Sequence, residues 1–159
     1  MAKIETVGIV GFGVMGAAIG INAASSGYRV IFKELNDELV RSMYDRWVKA
    51  ALDKRVAKGK MTQQEMDQVA GMISGTASYQ DLAPCDLVIE AAVEKMDLKI
   101  QIFKDLDKVC RPDAILVSNT STFLIERLMA SVSNPSRTAG LHYFFPANIN
   151  RLVEVIRQK

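Results

Sequence analysis

The sequence is sparing with the residues that mark special chemistry. Among 159 residues there are one histidine, two cysteines and one tryptophan. Cys85 and Cys110 stand far apart and in no metal-type spacing, so neither a metal centre nor a disulfide framework is expected; two free thiols in a reducing compartment are. No apolar run approaches the roughly 20 residues that span a bilayer, which leaves no membrane segment to propose. The formal net charge of +2 is too small for charge alone to recruit nucleic acid or another polyanion. The first strand pattern begins almost at Met1 and leaves no room for a cleavable leader, so a cytoplasmic protein is the expectation. Hydrophobic residues make up 49% of the chain and charged ones 24%, proportions ordinary for one globular domain with its own core.

Glycines number only ten, yet Gly11, Gly13 and Gly16 fall in the spacing G-x-G-x-x-G within VGIVGFGVMG, residues 7–16. An apolar strand enters this turn and a helix of small residues leaves it, the context a dinucleotide-binding turn requires. Gly11 allows the sharp exit from the strand, Gly13 clears the backbone for a pyrophosphate, and Gly16 lets the helix approach the sheet. The first N–H groups of that helix, around Val14 and Met15, then face the phosphates. A second strand over 28–33 ends at Glu34, roughly 20 residues beyond the glycines, where an acid holds the ribose hydroxyls. An acid there repels a 2′-phosphate, which favours NAD over NADP, although Lys33 stands beside it.

Residues 36–73 read as a helical pair inserted after the second strand. The first helix runs from a cap at Asn36 or Asp37 to about Lys58, with Leu39, Met43, Trp47, Ala50, Ala51 and Lys54 at helical spacing. Thr62 and Glu65 form a capping box for the second. The pair is either structural or an arm reaching toward a ligand with Lys54, Arg55, Lys58 and Lys60 as phosphate contacts. Strands are expected over 74–77, 86–91, 114–118, 138–143 and 152–157, and helices over 96–109 and 122–131. The alternation specifies an α/β fold with a doubly wound, mostly parallel sheet.

Ligands of such sheets sit at the carboxyl ends of the strands. Those ends carry the glycine turn, Glu34, residues 91–94, residues 119–121 and His142. Ser121 is either a helix cap or a ligand contact. Glu154 lies inside an apolar run, where a carboxylate is costly unless paired. His142 is a natural partner across a turn of this length, and such a pair would fix the imidazole tautomer needed by a general base during hydride transfer. The alternative is a structural histidine beside an edge glutamate that faces water.

The segments VGIVGFGVMGAAIG, DLVIEAAVEKMDLKIQIFKDLD, SNTST and GLHYFFPANINRLVEVI cover most of the chain. In them it resembles the NAD-binding N-terminal Rossmann domain of the 3-hydroxyacyl-CoA dehydrogenases. That resemblance implies reversible, NAD-dependent oxidation of a 3-hydroxyacyl thioester to the 3-oxoacyl thioester. It implies that His142 is the base, Glu154 its acid partner and Ser121 a contact to substrate and nicotinamide. It further implies that Glu34 holds the ribose, that Ala91, Glu94, Lys99 and Asn119 line the cofactor site, and that Lys58 lies near a contact to the CoA portion of the substrate. The family's parent enzymes imply a homodimer.

Two departures from the family pattern stand out. Phe145 replaces the asparagine that follows the histidine and two aromatics, which opens an alternative substrate, an acyl thioester on a carrier protein. The sequence also ends at Lys159, where the family continues into an all-helical domain that closes over the substrate; weak activity of this fragment alone is the expectation. A non-catalytic NAD-binding or interaction module is the other reading. The 3-hydroxyisobutyrate and 6-phosphogluconate dehydrogenases share the glycine turn, but they use a catalytic lysine and lack the SNTS and histidine–LVEV segments.

Overall fold

The protein is described here by a computed structural model covering residues 3–157; Met1 and Lys159 lie outside the described residues. Seven strands form one sheet: β1 (Thr6–Val10), β2 (Arg29–Lys33), β3 (Ile73–Thr76), β4 (Leu87–Glu90), β5 (Ile115–Ser118), β6 (Thr138–Tyr143) and β7 (Val153–Ile156). Their order is β3-β2-β1-β4-β5-β6-β7. All neighbours pair in parallel except β6 and β7, which are antiparallel. β1 is buried at every position, as expected of a central parallel strand covered on both faces. The strand order reverses between β1 and β4, and a crevice opens beyond their carboxyl ends.

One face of the sheet carries α1 (Val14–Ser25), the helical arm and Ala147, packed around Ile9, Ile19, Phe32, Val48 and Leu52. The other carries α5 (Met96–Val109) and α6 (Ile125–Met129), packed around Phe103, Leu106, Leu116 and Leu128. α5 has the bounds its amphipathic pattern predicts. Among the described residues no helix is long and apolar enough to cross a membrane. Cys85 and Cys110 are free and buried, and burial pushes the Cys85 thiol up to about 12, so both behave as small apolar side chains.

The arm expected over 36–73 is built of three α-helices and a π-helical stretch rather than a pair of helices. Asn36 caps α2 (Asp37–Met43) by accepting the Leu39 N–H at 2.8 Å. A π-helical stretch, Tyr44–Lys49, then leads into α3 (Ala50–Ala57). The wider turn rotates the inward face: Val48 and Leu52 are fully buried, whereas Ala50 and Lys54, expected inside, are exposed. The Thr62–Glu65 capping box opens α4 (Gln63–Gly71) as expected.

The helix expected over 122–131 shrinks to Ile125–Met129, and Ser121 does not cap it; its cap position is Leu124, with no side-chain bond. Thr120 is the physical reason. Its Oγ1 accepts the N–H groups of Thr122 at 3.3 Å and Phe123 at 3.1 Å, holding those residues in a turn that competes with helix.

Candidate functional site

The glycine turn has the form its spacing predicts. Gly11 has φ +88° and packs so closely that a Cβ would lie 2.7 Å from Ala92 N and Cα. At Gly16 a Cβ would come 2.0 Å from the Gly11 carbonyl oxygen, so only glycine lets α1 start this near the strand. Gly13 is the opposite case: nothing lies within 4 Å of a Cβ there. Phe12, between them, is fully buried and stacks on Phe32 with ring centroids 3.9 Å apart, a contact worth about 1 kcal/mol that pins the turn to β2. α1 has no side-chain cap and no acid in its first turn. The N–H groups at Val14 and Met15 therefore remain available to an anion.

Glu34, just past β2, accepts the Phe12 N–H at 2.6 Å through Oε1. It thus braces the glycine turn, and its Oε2 makes no hydrogen bond among the described residues. Lys33 makes no salt bridge with it among the described residues, although both line one cleft. The Lys33 ammonium sits 4.3 Å from the centre of the Tyr79 ring. Burial, opposed by the charges of Glu34 and Asp105, lowers its pKa below the ordinary lysine value. The lysine beside the acid is thus occupied in a cation–π contact. A cleft of about 270 Å³ runs between these residues, lined by Gly11, Gly13, Glu34, Leu35, Ala91 and Leu98 among others. The open space over Gly13, the apolar cleft wall and an acid at its rim fit a dinucleotide, with the pyrophosphate over α1 and the ribose against Glu34.

Beyond β4 and β5 lies a group of polar side chains that the sequence reading only partly foresaw. Lys99 is 1% exposed, so it lies beneath the crevice rather than lining it. Its ammonium bonds Glu90 Oε1 at 2.6 Å and the Ala92 carbonyl at 3.2 Å, and lies 3.2 Å from Glu94 Oε2. Glu94 also accepts hydrogen bonds from the hydroxyls of Thr120 and Thr122. Burial opposes its ionisation, but these three hydrogen bonds and the Lys99 charge prevail and hold the carboxyl below its usual value. Asn119 accepts the Tyr143 N–H at 2.8 Å, tying the loop after β5 to the end of β6. Ser121 is exposed and makes no hydrogen bond among the described residues. Thr120 belongs to the predicted strand-end group 119–121, whereas the sequence analysis assigns no role to Glu90 or Ser118. The signal available for Glu90 is the one used for Glu154, a carboxylate in an apolar run.

His142 and Glu154 meet. They are register partners of the β6–β7 ladder, and Nδ1 lies 2.9 Å from Oε2. The imidazole side chain is 19% exposed and its ring lies beside that of Phe144, tilted by 55° with centroids 4.6 Å apart. An ionised carboxylate can only accept, so in the neutral imidazole the proton of this bond sits on Nδ1 and Nε2 carries the lone pair. Because β1, β2, β4, β5 and β6 run parallel, all five predicted strand-end groups gather on one edge of the sheet.

A second, larger groove of about 750 Å³ separates α1 and the arm from the loop after β6. Lys54, Arg55, Lys58 and Lys60 line one side, and Phe145 and Ile149 the other. Phe145 is 68% exposed.

Comparison with known proteins gives a consistent result. Residues 6–159 match the model of the family described as 3-hydroxyacyl-CoA dehydrogenase, NAD binding domain. The glyoxysomal fatty acid beta-oxidation multifunctional protein MFP-a of Cucumis sativus is 40% identical over 157 residues, which are 99% of this chain and 22% of that protein. The 3-hydroxybutyryl-CoA dehydrogenase of Mycobacterium tuberculosis H37Rv is 40% identical over 155 residues, 97% of this chain and 54% of that one. The crystal structure of (S)-3-hydroxybutyryl-CoA dehydrogenase from Ralstonia eutropha superposes with a TM-score of 0.93 at 38% identity, covering 98% of this chain and 54% of that chain. The chain thus spans between about a fifth and about half of the length of these relatives.

Proposed function

The chain belongs to the family of NAD-binding domains of 3-hydroxyacyl-CoA dehydrogenases, and from that membership we propose that it holds NAD and the proton-transfer half of 3-hydroxyacyl-CoA oxidation. The observation that carries the reading is the 2.9 Å contact between His142 Nδ1 and Glu154 Oε2. The contact holds the imidazole from behind and leaves Nε2 to take the proton of a substrate hydroxyl as the C–H hydride departs. In the reductive direction the same nitrogen returns the proton. The dinucleotide, when bound, supplies the hydride acceptor.

In this reading Gly11, Gly13, Val14, Met15 and Gly16 receive the pyrophosphate, and Glu34 Oε2 receives a ribose hydroxyl. Ala91 forms the cleft wall, and Glu94 and Asn119 set the far rim. Ser121, exposed at that rim and with no hydrogen bond among the described residues, is placed to bond the substrate carbonyl. The cationic side of the larger groove takes the CoA phosphates, Lys58 among its contacts, because four cations flank an apolar floor at the foot of α1. A homodimer and a cytoplasmic setting belong to the same reading; the cucumber relative, by its name, is glyoxysomal.

Titration with NADH followed by fluorescence, then reduction of acetoacetyl-CoA, tests the proposal. Saturable NADH binding is expected, with a rate that His142→Ala abolishes. Absence of NADH binding at high micromolar concentration removes the cofactor reading. An unchanged rate in His142→Ala, whether in this chain or in a longer one that contains it, removes the assignment of the base.

A further inference from the structure

Glu90 is fully buried at the last position of β4, where a carboxylate persists only if its oxygens are satisfied. Oε1 accepts the Lys99 ammonium at 2.6 Å and the Ala92 N–H at 2.7 Å. Oε2 accepts the Ser118 hydroxyl at 2.6 Å. Having donated to Glu90, Ser118 Oγ accepts the Thr120 N–H at 3.2 Å. Thr120 Oγ1 donates to Glu94 Oε1, and the other Glu94 oxygen lies 3.2 Å from Lys99 Nζ. The contacts close into a ring of five residues: Glu90, Lys99, Glu94, Thr120 and Ser118. The three hydrogens of the ammonium have three acceptors at hand, two carboxylates and the Ala92 carbonyl, which is full use of a lysine's donors.

The ring joins both loops that flank the crevice and reaches past them on either side. Ala92, held by Glu90, is the residue packed against Gly11 of the glycine turn. The Glu90 carbonyl accepts the Asn119 N–H at 2.8 Å, and Asn119 Oδ1 accepts the N–H of Tyr143, the residue after His142. An ion pair that served the core alone could be replaced by apolar side chains of the same volume at little loss. This one instead directs its hydrogen bonds to loop positions at the strand ends, where a closed polar network rigidifies what it joins.

We propose that Glu90 is a positioning residue: through Lys99, Ser118 and Ala92 it fixes the separation of residues 91–95 from residues 119–123, and with it the shape of the cofactor crevice, without touching the ligand. This rests on the cofactor reading above. Replacing the carboxylate leaves the buried Lys99 with Glu94 as its sole counter-charge, drawing Glu94 inward and loosening Ala92 and Thr120.

The test uses Glu90→Gln, amide hydrogen exchange of the ligand-free chain, and NADH titration of the folded protein. Expected are faster exchange confined to Ala92 and Thr120, with the Ile9 and Val88 amides unchanged, and an NADH Kd raised about tenfold, the affinity equivalent of one hydrogen bond to a charged group. A folded Glu90→Gln with local exchange and Kd like the parent's overturns the proposal. So does acceleration spread evenly over β1 and β4 with an unchanged Kd, the pattern of a purely structural role. If Glu90→Gln does not fold, Ser118→Ala opens the ring without stranding a charge. An approximately threefold rise in Kd with faster Thr120 exchange is then expected, and parent-like values overturn the proposal. If the parent chain itself binds no NADH, the cofactor reading fails separately, and the exchange measurement still decides the ring.

Discussion

Nδ1 of His142 lies 2.9 Å from Oε2 of Glu154, across an antiparallel ladder in which the two residues are direct partners. Opposed residues of such a ladder share a face with Cβ atoms about 5 Å apart, so the contact is a product of sheet register rather than of loop conformation. The Glu154 side chain is 51% exposed, and solvent screening leaves the pair little stabilising worth. Its value lies in aiming the ring. Glu154→Ala is expected to lower kcat for acetoacetyl-CoA reduction by about 10²-fold while leaving the NADH Kd and the melting temperature near those of the parent. Steady-state kinetics beside a fluorescence titration check this, and a Kd that rose together with the loss of rate would contradict it.

The glycine turn separates folding from binding. Gly13 has φ −73° and open space at its Cβ position, so Gly13→Ala should leave unfolding free energy within about 1 kcal/mol of the parent. The added methyl occupies the space assigned to the pyrophosphate, and NADH affinity is expected to fall more than tenfold. Gly16→Ala must place a methyl 2.0 Å from the Gly11 carbonyl oxygen. It is expected to cost about 1–3 kcal/mol, as overpacking does. Urea unfolding and NADH titration of the two variants should give opposite patterns.

Asp86 ties the foot of β4 to β1. Its carboxylate accepts the N–H groups of Glu5 at 2.8 Å and Thr6 at 2.9 Å, and it meets Arg111 at 2.5 Å. The two backbone bonds, and then Arg111, outweigh burial and hold its pKa below the ordinary value of 3.8. A carboxyl depressed in the folded state contributes stability above its unfolded pKa and loses that contribution as pH falls through the folded value. Urea unfolding of the parent should therefore weaken as pH drops below about 4. Asp86→Asn should be less stable at neutral pH by about 1–3 kcal/mol, and the gap should narrow in acid.

The groove beside the arm carries an electrostatic prediction. Lys58 and Lys60 are exposed and line the same side as Lys54 and Arg55. Reversing two of these charges, Lys58→Glu with Lys60→Glu, should weaken CoA binding about tenfold at low ionic strength. The difference should shrink as salt approaches 0.15 M, where the screening length is about 8 Å. Calorimetric titration at two salt concentrations measures it; equal CoA affinity of parent and variant at low salt would place the phosphates elsewhere.

Periodicity made the sheet legible: β6 and α5 have the bounds their patterns predict, because buried parallel strands and a one-sided helix impose strong patterns. A regular 3.6-residue repeat places Ala50 and Lys54 on the face of Met43 and Trp47, and the π-helical stretch at Tyr44–Lys49 carries them to the exposed side. The helix over 122–131 was overextended because one hydroxyl, that of Thr120, takes the N–H groups a helix would need. At the site, the pairing of His142 with Glu154 was readable from the cost of a carboxylate in an apolar run. Glu90 ends an equally apolar run, Leu87–Glu90, but its partners at 99 and 118 come from separate elements. Only the folded sheet shows why Lys99 stands below the crevice instead of at its surface.

The antiparallel closure of the sheet has a further consequence. Residues 144–152 hang outside the ladder that aligns the proposed base with its acid, yet they furnish Phe145 and Ile149 to a groove wall. The proposed base and the groove-facing side chains thus come from adjoining parts of one hairpin, coupled by Phe144 beside the imidazole and by Ala147 in the core. Under the proposed function, changes at Phe145 and Ile149 would reshape the groove wall while leaving the register of His142 with Glu154 in place.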